Sequence, residues 1–120
     1  MSKTPRILIV EDDALIAMAL EELLREFGYE AMGPASTIEA AEAALAAETP
    51  DVGLFDLNLS GRSTLDLALA LKARGAQIVF CTGYETPPGL PSALADAPVL
   101  VKPLDGADLG AVLARLLGRD

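Results

Sequence analysis

The feature that most constrains the fold of this 120-residue sequence is its regular alternation of short apolar runs with longer segments of helical periodicity. The short runs predict strands, the second being the weakest: RILIV (6–10), YEAMG (29–33), DVGLFD (51–56), QIVFCTG (77–83) and PVLVK (98–102). Such alternation favours a parallel sheet whose right-handed crossovers lay helices on both faces. Because the strands are continuously apolar, both faces of the sheet are expected to be buried. The sequence therefore predicts a doubly wound α/β fold with a five-stranded parallel sheet.

Four segments carry the apolar periodicity of helices: 13–28, 36–48, 63–75 and 105–118. Each begins at a residue type that favours the N-cap position: Asp13, Ser36 (three residues before Glu39, as in a capping box), Ser63 and Asp105. The fourth connection, YETPPGLPSALADA (84–97), contains three prolines and leaves room for only a turn or two of helix. We therefore expect a short or disordered fourth helix in a single domain spanning residues 1–120.

The charge and composition exclude several classes of function. A net charge of −9 argues against nucleic acid and against an anionic membrane surface as partners, since both attract clustered Lys and Arg. The sequence has no histidine and one cysteine, Cys81, which excludes His-dependent catalysis, cysteine-based zinc sites and an internal disulfide. The N-terminus carries no signal-peptide pattern, and no apolar run approaches the roughly 18 residues of a membrane span. We expect a cytoplasmic protein.

Polar side chains follow four of the predicted strands, at the edge of a parallel sheet where ligands bind. They are Glu11, Asp12 and Asp13 after the first strand, Asp56 and Asn58 after the third, Thr82 at the end of the fourth, and Lys102 at the end of the fifth. Taken singly, each has an ordinary explanation, and the best explanation of Asp13 is a helix N-cap. Their convergence on one edge of one sheet predicts a functional site.

The residue types at this edge point to phosphoryl transfer. Clustered carboxylates repel one another unless a cation intervenes, and oxygen ligands without His or Cys favour Mg²⁺. A lysine and a hydroxyl, Lys102 and Thr82, could hold phosphoryl oxygens, and positioning with charge neutralisation supplies most of the catalysis in such reactions. A carboxylate can serve as the nucleophile. This chemistry explains why an apolar strand ends by presenting Asp56.

Four motifs, in this order, resemble the receiver domain of two-component response regulators: ILIVEDD, DVGLFDLNLSG, VFCTG and VLVKP. The resemblance covers nearly the whole chain and implies a flavodoxin-like sheet of order 2-1-3-4-5. It implies that Asp56 accepts a phosphoryl group from the phosphohistidine of a sensor histidine kinase or a histidine phosphotransfer protein. It further implies that Glu11, Asp12, Asp56 and the backbone carbonyl of Asn58 hold Mg²⁺, that Lys102 pairs with the phosphoryl oxygens, and that the hydroxyl of Thr82 acts as the switch. In this family the peptide bond before Pro103 is often cis.

The sequence departs from the usual receiver pattern in ways that affect the switch. The aromatic residue expected three positions before the lysine is Val99, so the usual coupled movement of threonine and aromatic cannot operate. FCTGY (80–84) resembles the Phe-Ala-Thr-Gly-Tyr motif of a subgroup of single-domain receivers, with Cys81 in place of alanine. In that case Tyr84 and the proline-rich segment after it form the responsive region, or Tyr84 simply packs over the site. By family position, Asn58 and Tyr84 are expected to tune the phosphoryl lifetime.

Several alternatives remain open from the sequence. The chain is either a stand-alone signalling module, acting on a downstream protein target or as a phosphate sink, or a receiver excised from a longer protein. As a receiver it is not an enzyme beyond catalysing its own phosphorylation and dephosphorylation. A Mg²⁺-dependent phosphatase with an aspartyl-phosphate intermediate is a different class, but such enzymes carry an Asp-x-Asp nucleophile motif after the first strand. Nucleotide-binding glycine motifs are absent from the sequence, and a phosphorylation-insensitive receiver would normally lack some of the acids or the lysine.

Overall fold

The structure is a computed structural model that describes residues 4–83, 90–102 and 104–118. Its strands are β1 (Arg6–Val10), β2 (Glu30–Ala35), β3 (Val52–Asp56), β4 (Asn58–Leu59), β5 (Arg62–Ser63), β6 (Gln77–Thr82) and β7 (Val99–Val101). Its α-helices are α1 (Ala14–Glu26), α2 (Ile38–Ala47), α3 (Leu65–Ala73) and α4 (Gly106–Leu117). Five strands form one parallel sheet in the order β2-β1-β3-β6-β7, and β4 pairs with β5 in a separate small hairpin. The predicted doubly wound α/β fold is confirmed, with the sheet order 2-1-3-4-5 once the hairpin is set aside.

Both faces of the sheet are buried, as the continuous apolar strands predicted. Leu8 and Val10 of β1 belong to one core cluster, on the side of α2 and α3, together with Phe55 and Phe80. The intervening β1 residues Ile7 and Ile9 belong to a second cluster, on the side of α1 and α4: Leu20, Leu24, Leu54, Val79, Leu109 and Leu113. The alternation follows from the two-residue period of a strand. The sheet, packed on both faces, positions the residues at the ends of its strands.

Two predicted helix caps are correct and two are wrong. Asp13 and Asp105 cap α1 and α4 by accepting backbone N–H groups of the first turn, as the sequence predicted. Helix α2 begins one residue later than predicted, with Thr37 as N-cap accepting from the backbone of Ala40 at 3.0 Å. The N-cap position of helix α3 is also one residue later, at Thr64, but the side chain of Thr64 makes no cap hydrogen bond. The Oγ of Ser63 accepts a hydrogen bond from the backbone N–H of Leu65 instead. In both cases adjacent Ser and Thr residues have similar cap preferences, so the sequence alone does not select between them.

The other differences concern element ends. Strand β2 continues beyond Gly33 to Ala35, because a proline at position 34 is tolerated in an edge strand. The fourth connection contains a short 3₁₀ helix at Ser92–Leu94, consistent with the predicted short fourth helix. Residues 84–89, including Tyr84, and Pro103 lie outside the described residues, so the predictions made for them stay predictions. Within the part of the chain that the structure describes, no helix is long and apolar enough to cross a membrane.

Candidate functional site

The carboxyl ends of four strands bring the predicted site residues together. Glu11 and Asp12 directly follow β1, and Asp56 is the last residue of β3. Parallel pairing places Val10 beside Phe55 and Asp56 beside Cys81, and therefore aligns the ends of β1, β3 and β6. Thr82 ends β6, and Lys102 follows β7. One carboxylate oxygen from each of Glu11, Asp12 and Asp56 lies within 4.8 Å of the others. The structure thus gathers these three acids, as predicted from the sequence.

Lys102 provides the positive charge of the site. Its ammonium Nζ lies 2.7 Å from Glu11 Oε1 and donates a hydrogen bond of 2.9 Å to Asp56 Oδ2. Its backbone N–H donates to the carbonyl oxygen of Thr82 at 2.7 Å, which fixes the end of β7 against the end of β6. Burial lowers the pKa of Lys102, but its contacts with Glu11 and Asp56 raise it more, so the pKa lies above its usual value. The ammonium therefore remains charged throughout the neutral range.

Glu11 is the buried member of the cluster, with only 2% of its surface exposed. Its Oε2 accepts a hydrogen bond from the backbone N–H of Asp13 at 3.1 Å. Its Oε1 is within ion-pair distance of Lys102 but has no hydrogen bond of good geometry among the described residues. Burial raises the pKa of Glu11 above its usual value, and Lys102 and the Asp13 N–H oppose this only in part. The carboxylate is thus held at an energetic cost that a cation would reduce.

Asp12 is exposed, and its carboxylate is held by hydrogen bonds from Ser60. Its Oδ2 accepts hydrogen bonds from the backbone N–H of Ser60 at 2.9 Å and from the Ser60 hydroxyl at 3.2 Å. Slight burial raises the pKa of Asp12, but the Ser60 hydrogen bonds and one involving Glu11 outweigh this effect and lower it. Asp12 is therefore ionised at neutral pH and has a fixed orientation. Ser60 carries no signal of this role in the sequence, because its contact with Asp12 spans 48 residues.

Asp56 is fixed by contacts on its side chain and on its backbone. Its Oδ1 accepts a hydrogen bond from the backbone N–H of Asn58 at 3.2 Å, while its Oδ2 faces Lys102. Its carbonyl oxygen accepts a hydrogen bond of 2.7 Å from the hydroxyl of Thr64, which is fully buried. The side chain of Asp56 is only 15% exposed, and the Lys102 side chain beside it is 22% exposed. Thr64 was not predicted as a site residue.

Replacing Thr64 with valine is expected to destabilise the protein by about 1–3 kcal/mol, because the carbonyl oxygen of Asp56 loses a buried donor that valine cannot replace. Urea unfolding at constant pH measures this difference. The matched substitution at exposed Thr4 should change the free energy of unfolding by no more than about 0.5 kcal/mol. Equal effects at the two positions would contradict a structural role for the Thr64 hydroxyl beneath the site.

The remaining predicted residues are placed as follows. Thr82 is buried at the end of β6, on the strand that adjoins Asp56. The side-chain Oδ1 of Asn58 accepts a hydrogen bond from the backbone N–H of Gly61 at 2.7 Å, so this side chain turns into the β4–β5 hairpin. Val99 pairs with Phe80 and packs on the core beside α3. Cys81 is buried, and burial raises the pKa of its thiol to about 12, as expected of a core residue. The predicted tuning and switch roles of Asn58, Thr82 and Val99 stay predictions.

Comparison with known proteins identifies the family. Residues 7–114 match the family described as response regulator receiver domain. The chain belongs to the response regulator receiver family. Among its relatives, the transcriptional regulatory protein PdtaR of Mycobacterium tuberculosis is 39% identical over 80 residues, which are 66% of this chain and 39% of that protein. The phyllosphere-induced regulator PhyR of Methylorubrum extorquens is 34% identical over 114 residues, covering 92% of this chain and 43% of PhyR. This receiver thus spans about two fifths of the length of these curated relatives.

A solved structure extends the similarity over the whole fold. The solution structure of SdrG from Sphingomonas melonis Fr1 superimposes with a TM-score of 0.81 at 37% identity, covering 98% of this chain and 99% of SdrG. The predicted family resemblance is therefore confirmed at the level of the receiver domain and of two-component signalling. The single-domain subgroup suggested by FCTGY is not established by these similarities.

The geometry of the acidic cluster fits a bound cation. Three carboxylates converge, and the buried Oε1 of Glu11 has no hydrogen-bond partner among the described residues. All available ligands are oxygens, the donor set of hard divalent ions. The receiver therefore contains a cluster that could hold a metal ion, formed by Glu11, Asp12 and Asp56.

Proposed function

We propose that this receiver accepts a phosphoryl group on Asp56, in the presence of Mg²⁺, from the phosphohistidine of a sensor histidine kinase or a histidine phosphotransfer protein. The observation that carries the proposal is the position of the Asp56 carboxylate, 2.9 Å from the Lys102 ammonium and within the three-acid cluster. A nucleophile placed between a lysine and a cation site is the arrangement that phosphoryl transfer requires, since its catalysis rests on positioning and charge neutralisation.

In the proposed reaction, a carboxylate oxygen of Asp56 forms a bond to phosphorus while the bond from phosphorus to the histidine nitrogen breaks. The electron pair of that bond stays on the imidazole, and the product is an acyl phosphate. The N–H of Asn58 orients Oδ1 of Asp56, and Lys102 can move from the carboxylate to the phosphoryl oxygens. Glu11, Asp12, Asp56 and the Asn58 carbonyl would hold Mg²⁺, which supplies charge neutralisation at the phosphoryl oxygens.

Mg²⁺ is expected to raise the melting temperature, because it relieves repulsion among Glu11, Asp12 and Asp56 in the native state alone. The gain in free energy follows mass action and reaches about 2.7 kcal/mol at an ion concentration 100 times the dissociation constant. Scanning calorimetry across a MgCl₂ titration measures it, with NaCl of matched ionic strength as the control. In the Asp12→Asn variant, the rise in melting temperature should require higher MgCl₂ concentrations. A melting temperature that does not depend on Mg²⁺ would contradict the cation site.

An apolar surface beside the site offers a docking position for the proposed phosphoryl donor. Leu15 and Met18 of α1 are 78% and 58% exposed, unusually high values for large apolar side chains. A groove of about 310 Å³ has Leu15 in its wall and includes Lys102 of the phosphoacceptor site. Its walls are formed by Leu15, Ile16, Ala19, Leu20, Leu23, Lys102 and Leu104. A helical donor seated there would present its phosphohistidine to Asp56.

The proposed output is a change in binding to a downstream protein, or passive removal of phosphoryl groups from the kinase. The hydroxyl of Thr82 is the proposed switch, and Val99 leaves no aromatic ring to move with it. On the FCTGY motif we propose that the chain belongs to the single-domain subgroup. We also propose a cytoplasmic location, because the proposed phosphoryl donor is a sensor histidine kinase or a histidine phosphotransfer protein. The net charge of −9 disfavours nucleic acid and anionic membranes as its direct partners.

The direct test is intact-mass spectrometry after incubation with MgCl₂ and a small acyl-phosphate donor. One added phosphoryl group, absent when EDTA replaces MgCl₂, supports the receiver chemistry. Failure to form the adduct, together with failure to bind beryllofluoride in its place, would overturn the proposal. Repeated turnover of an added phosphomonoester would instead identify a phosphatase, because a receiver modifies itself once per dephosphorylation cycle.

A further inference from the structure

The β4–β5 hairpin contacts two of the three carboxylates of the proposed cation site, those of Asp12 and Asp56. The backbone N–H of Asn58 donates to Asp56 at 3.2 Å. At the tip of the same hairpin, the N–H and hydroxyl of Ser60 donate to the same oxygen of Asp12, Oδ2, at 2.9 and 3.2 Å. The strand-end pattern did not predict this hairpin, and its tip is the part of the molecule that reaches Asp12 from outside the sheet.

Ser60 adopts a backbone conformation that serine rarely takes. Its φ is +49°, and Gly61 follows with φ +88°, so both residues of the turn lie in the left-handed region. Asn-Gly and Gly-Gly are the usual sequences for such a turn, because a residue with a side chain adopts φ above zero only at an energetic cost. The two hydrogen bonds to Asp12 are interactions that can offset this cost, and glycine could form only one of them.

The hairpin is fixed at points other than Ser60. Leu59 is buried in the same core cluster as Phe55. The side-chain Oδ1 of Asn58 accepts a hydrogen bond of 2.7 Å from the backbone N–H of Gly61 across the turn. Arg62 donates two hydrogen bonds, of 2.7 and 2.9 Å, to the carboxylate of Glu39 in α2. Ser60 is therefore held in place independently of Asp12, and it can impose an orientation on that carboxylate.

We propose that Ser60 is a positioning residue for Asp12, which occupies one carboxylate oxygen so that the other is directed to the cation. This inference rests on the proposed function, because it assigns Mg²⁺ to the cluster. A carboxylate oxygen accepts about two hydrogen bonds, so the two donors of Ser60 saturate Oδ2 and leave Oδ1 as the ligand. Outer contacts of this kind orient metal ligands and commonly change metal affinity by about 10–100-fold.

The test compares Mg²⁺ binding, by isothermal titration calorimetry, in the wild type, Ser60→Ala and Ser60→Gly. Both variants lack the hydroxyl and keep the N–H, and glycine also removes the backbone strain, so it should fold at least as stably as the wild type. We expect the dissociation constant for Mg²⁺ to rise about three- to tenfold in both variants. Ser92→Ala, at an exposed position on the 3₁₀ helix, should bind Mg²⁺ like the wild type.

A double-mutant cycle separates orientation of Asp12 from a general effect of the hairpin. Asp12→Ala removes the oxygen to which Ser60 donates, so if Ser60 acts through Asp12, Ser60→Ala should have no further effect on Mg²⁺ binding in an Asp12→Ala background. An unchanged or smaller dissociation constant in Ser60→Ala and Ser60→Gly, or an equal effect in both backgrounds, overturns the assignment while leaving the proposed function intact. Failure of the wild type to bind Mg²⁺ overturns both.

Discussion

Asp56→Asn is expected to abolish the phosphoryl adduct formed with an acyl-phosphate donor, with no adduct detectable by intact mass. The amide retains the size of the side chain but lacks the carboxylate nucleophile, so it cannot form an acyl phosphate. The backbone N–H of Asn58 can still donate to the side-chain oxygen of an asparagine at position 56, and the Thr64 hydroxyl can still donate to its backbone carbonyl. The loss should therefore occur without unfolding, and a thermal melt of the same sample checks this.

The matched control is Asp66→Asn, an exposed carboxylate in the first turn of α3. It removes the same charge from the same region of the chain without touching the strand ends. Its adduct should form to the same extent as in the wild type. An adduct that persists in Asp56→Asn would show that another group accepts the phosphoryl, and the assignment of Asp56 would then be wrong.

Lys102→Met is expected to lower the free energy of unfolding by about 2–4 kcal/mol at neutral pH. Methionine approximates the length of lysine but leaves the buried Glu11 and the largely buried Asp56 without their cation. Removing one partner of a buried pair commonly costs about 3–5 kcal/mol, and the 22% exposure of Lys102 reduces this. Urea unfolding measures the difference, and Lys72→Met, in the last turn of α3, is the surface control.

The destabilisation should depend on pH in a defined direction. Burial raises the pKa of Glu11 above its usual value, so its ionised form is disfavoured in the folded state. Protonated Glu11 therefore favours the folded state. Its contribution to the free energy of unfolding is complete below its unfolded-state pKa and is lost as the pH rises through its folded-state pKa. Without Lys102, which lowers it, the folded-state pKa of Glu11 rises further. The stability difference between wild type and Lys102→Met should therefore be larger at pH 7.5 than at pH 5.5. A difference that grows on acidification would contradict this account of Glu11.

The sheet and the main site residues could be predicted because their signal is local. An apolar run that ends in a carboxylate, as Phe55-Asp56 does, marks both a buried strand and the polar group at its end. Parallel pairing then brings Glu11, Asp12, Asp56 and Lys102 together without further information, since each follows or ends a strand. The absence of histidine and the presence of a single cysteine restricted the candidate metal ligands to oxygen before any geometry was known.

The supporting residues could not be predicted, since their roles depend on contacts distant in sequence. Thr64 follows the predicted N-cap Ser63 and has no assigned role in the sequence, yet its hydroxyl donates a hydrogen bond to the carbonyl oxygen of Asp56. Ser60 lies in a loop whose hairpin is stabilised by one buried leucine, Leu59, and by an ion pair to α2. Neither contact leaves a periodic pattern in the sequence. A serine before a glycine, in the type of turn that normally carries Asn-Gly, was the only available signal at Ser60.

The measurement that tests the proposed chemistry most directly is the location of the phosphoryl group. The protein is treated with MgCl₂ and an acyl-phosphate donor, and the acyl phosphate is then reduced with borohydride, which converts a phosphorylated aspartate to homoserine. Tandem mass spectrometry of the resulting peptides identifies the modified position. We predict homoserine at position 56 and aspartate at positions 12 and 13. Homoserine at any other position, or modification of a hydroxyl such as that of Thr82 or Ser60, would contradict the assignment of Asp56 as the phosphoacceptor.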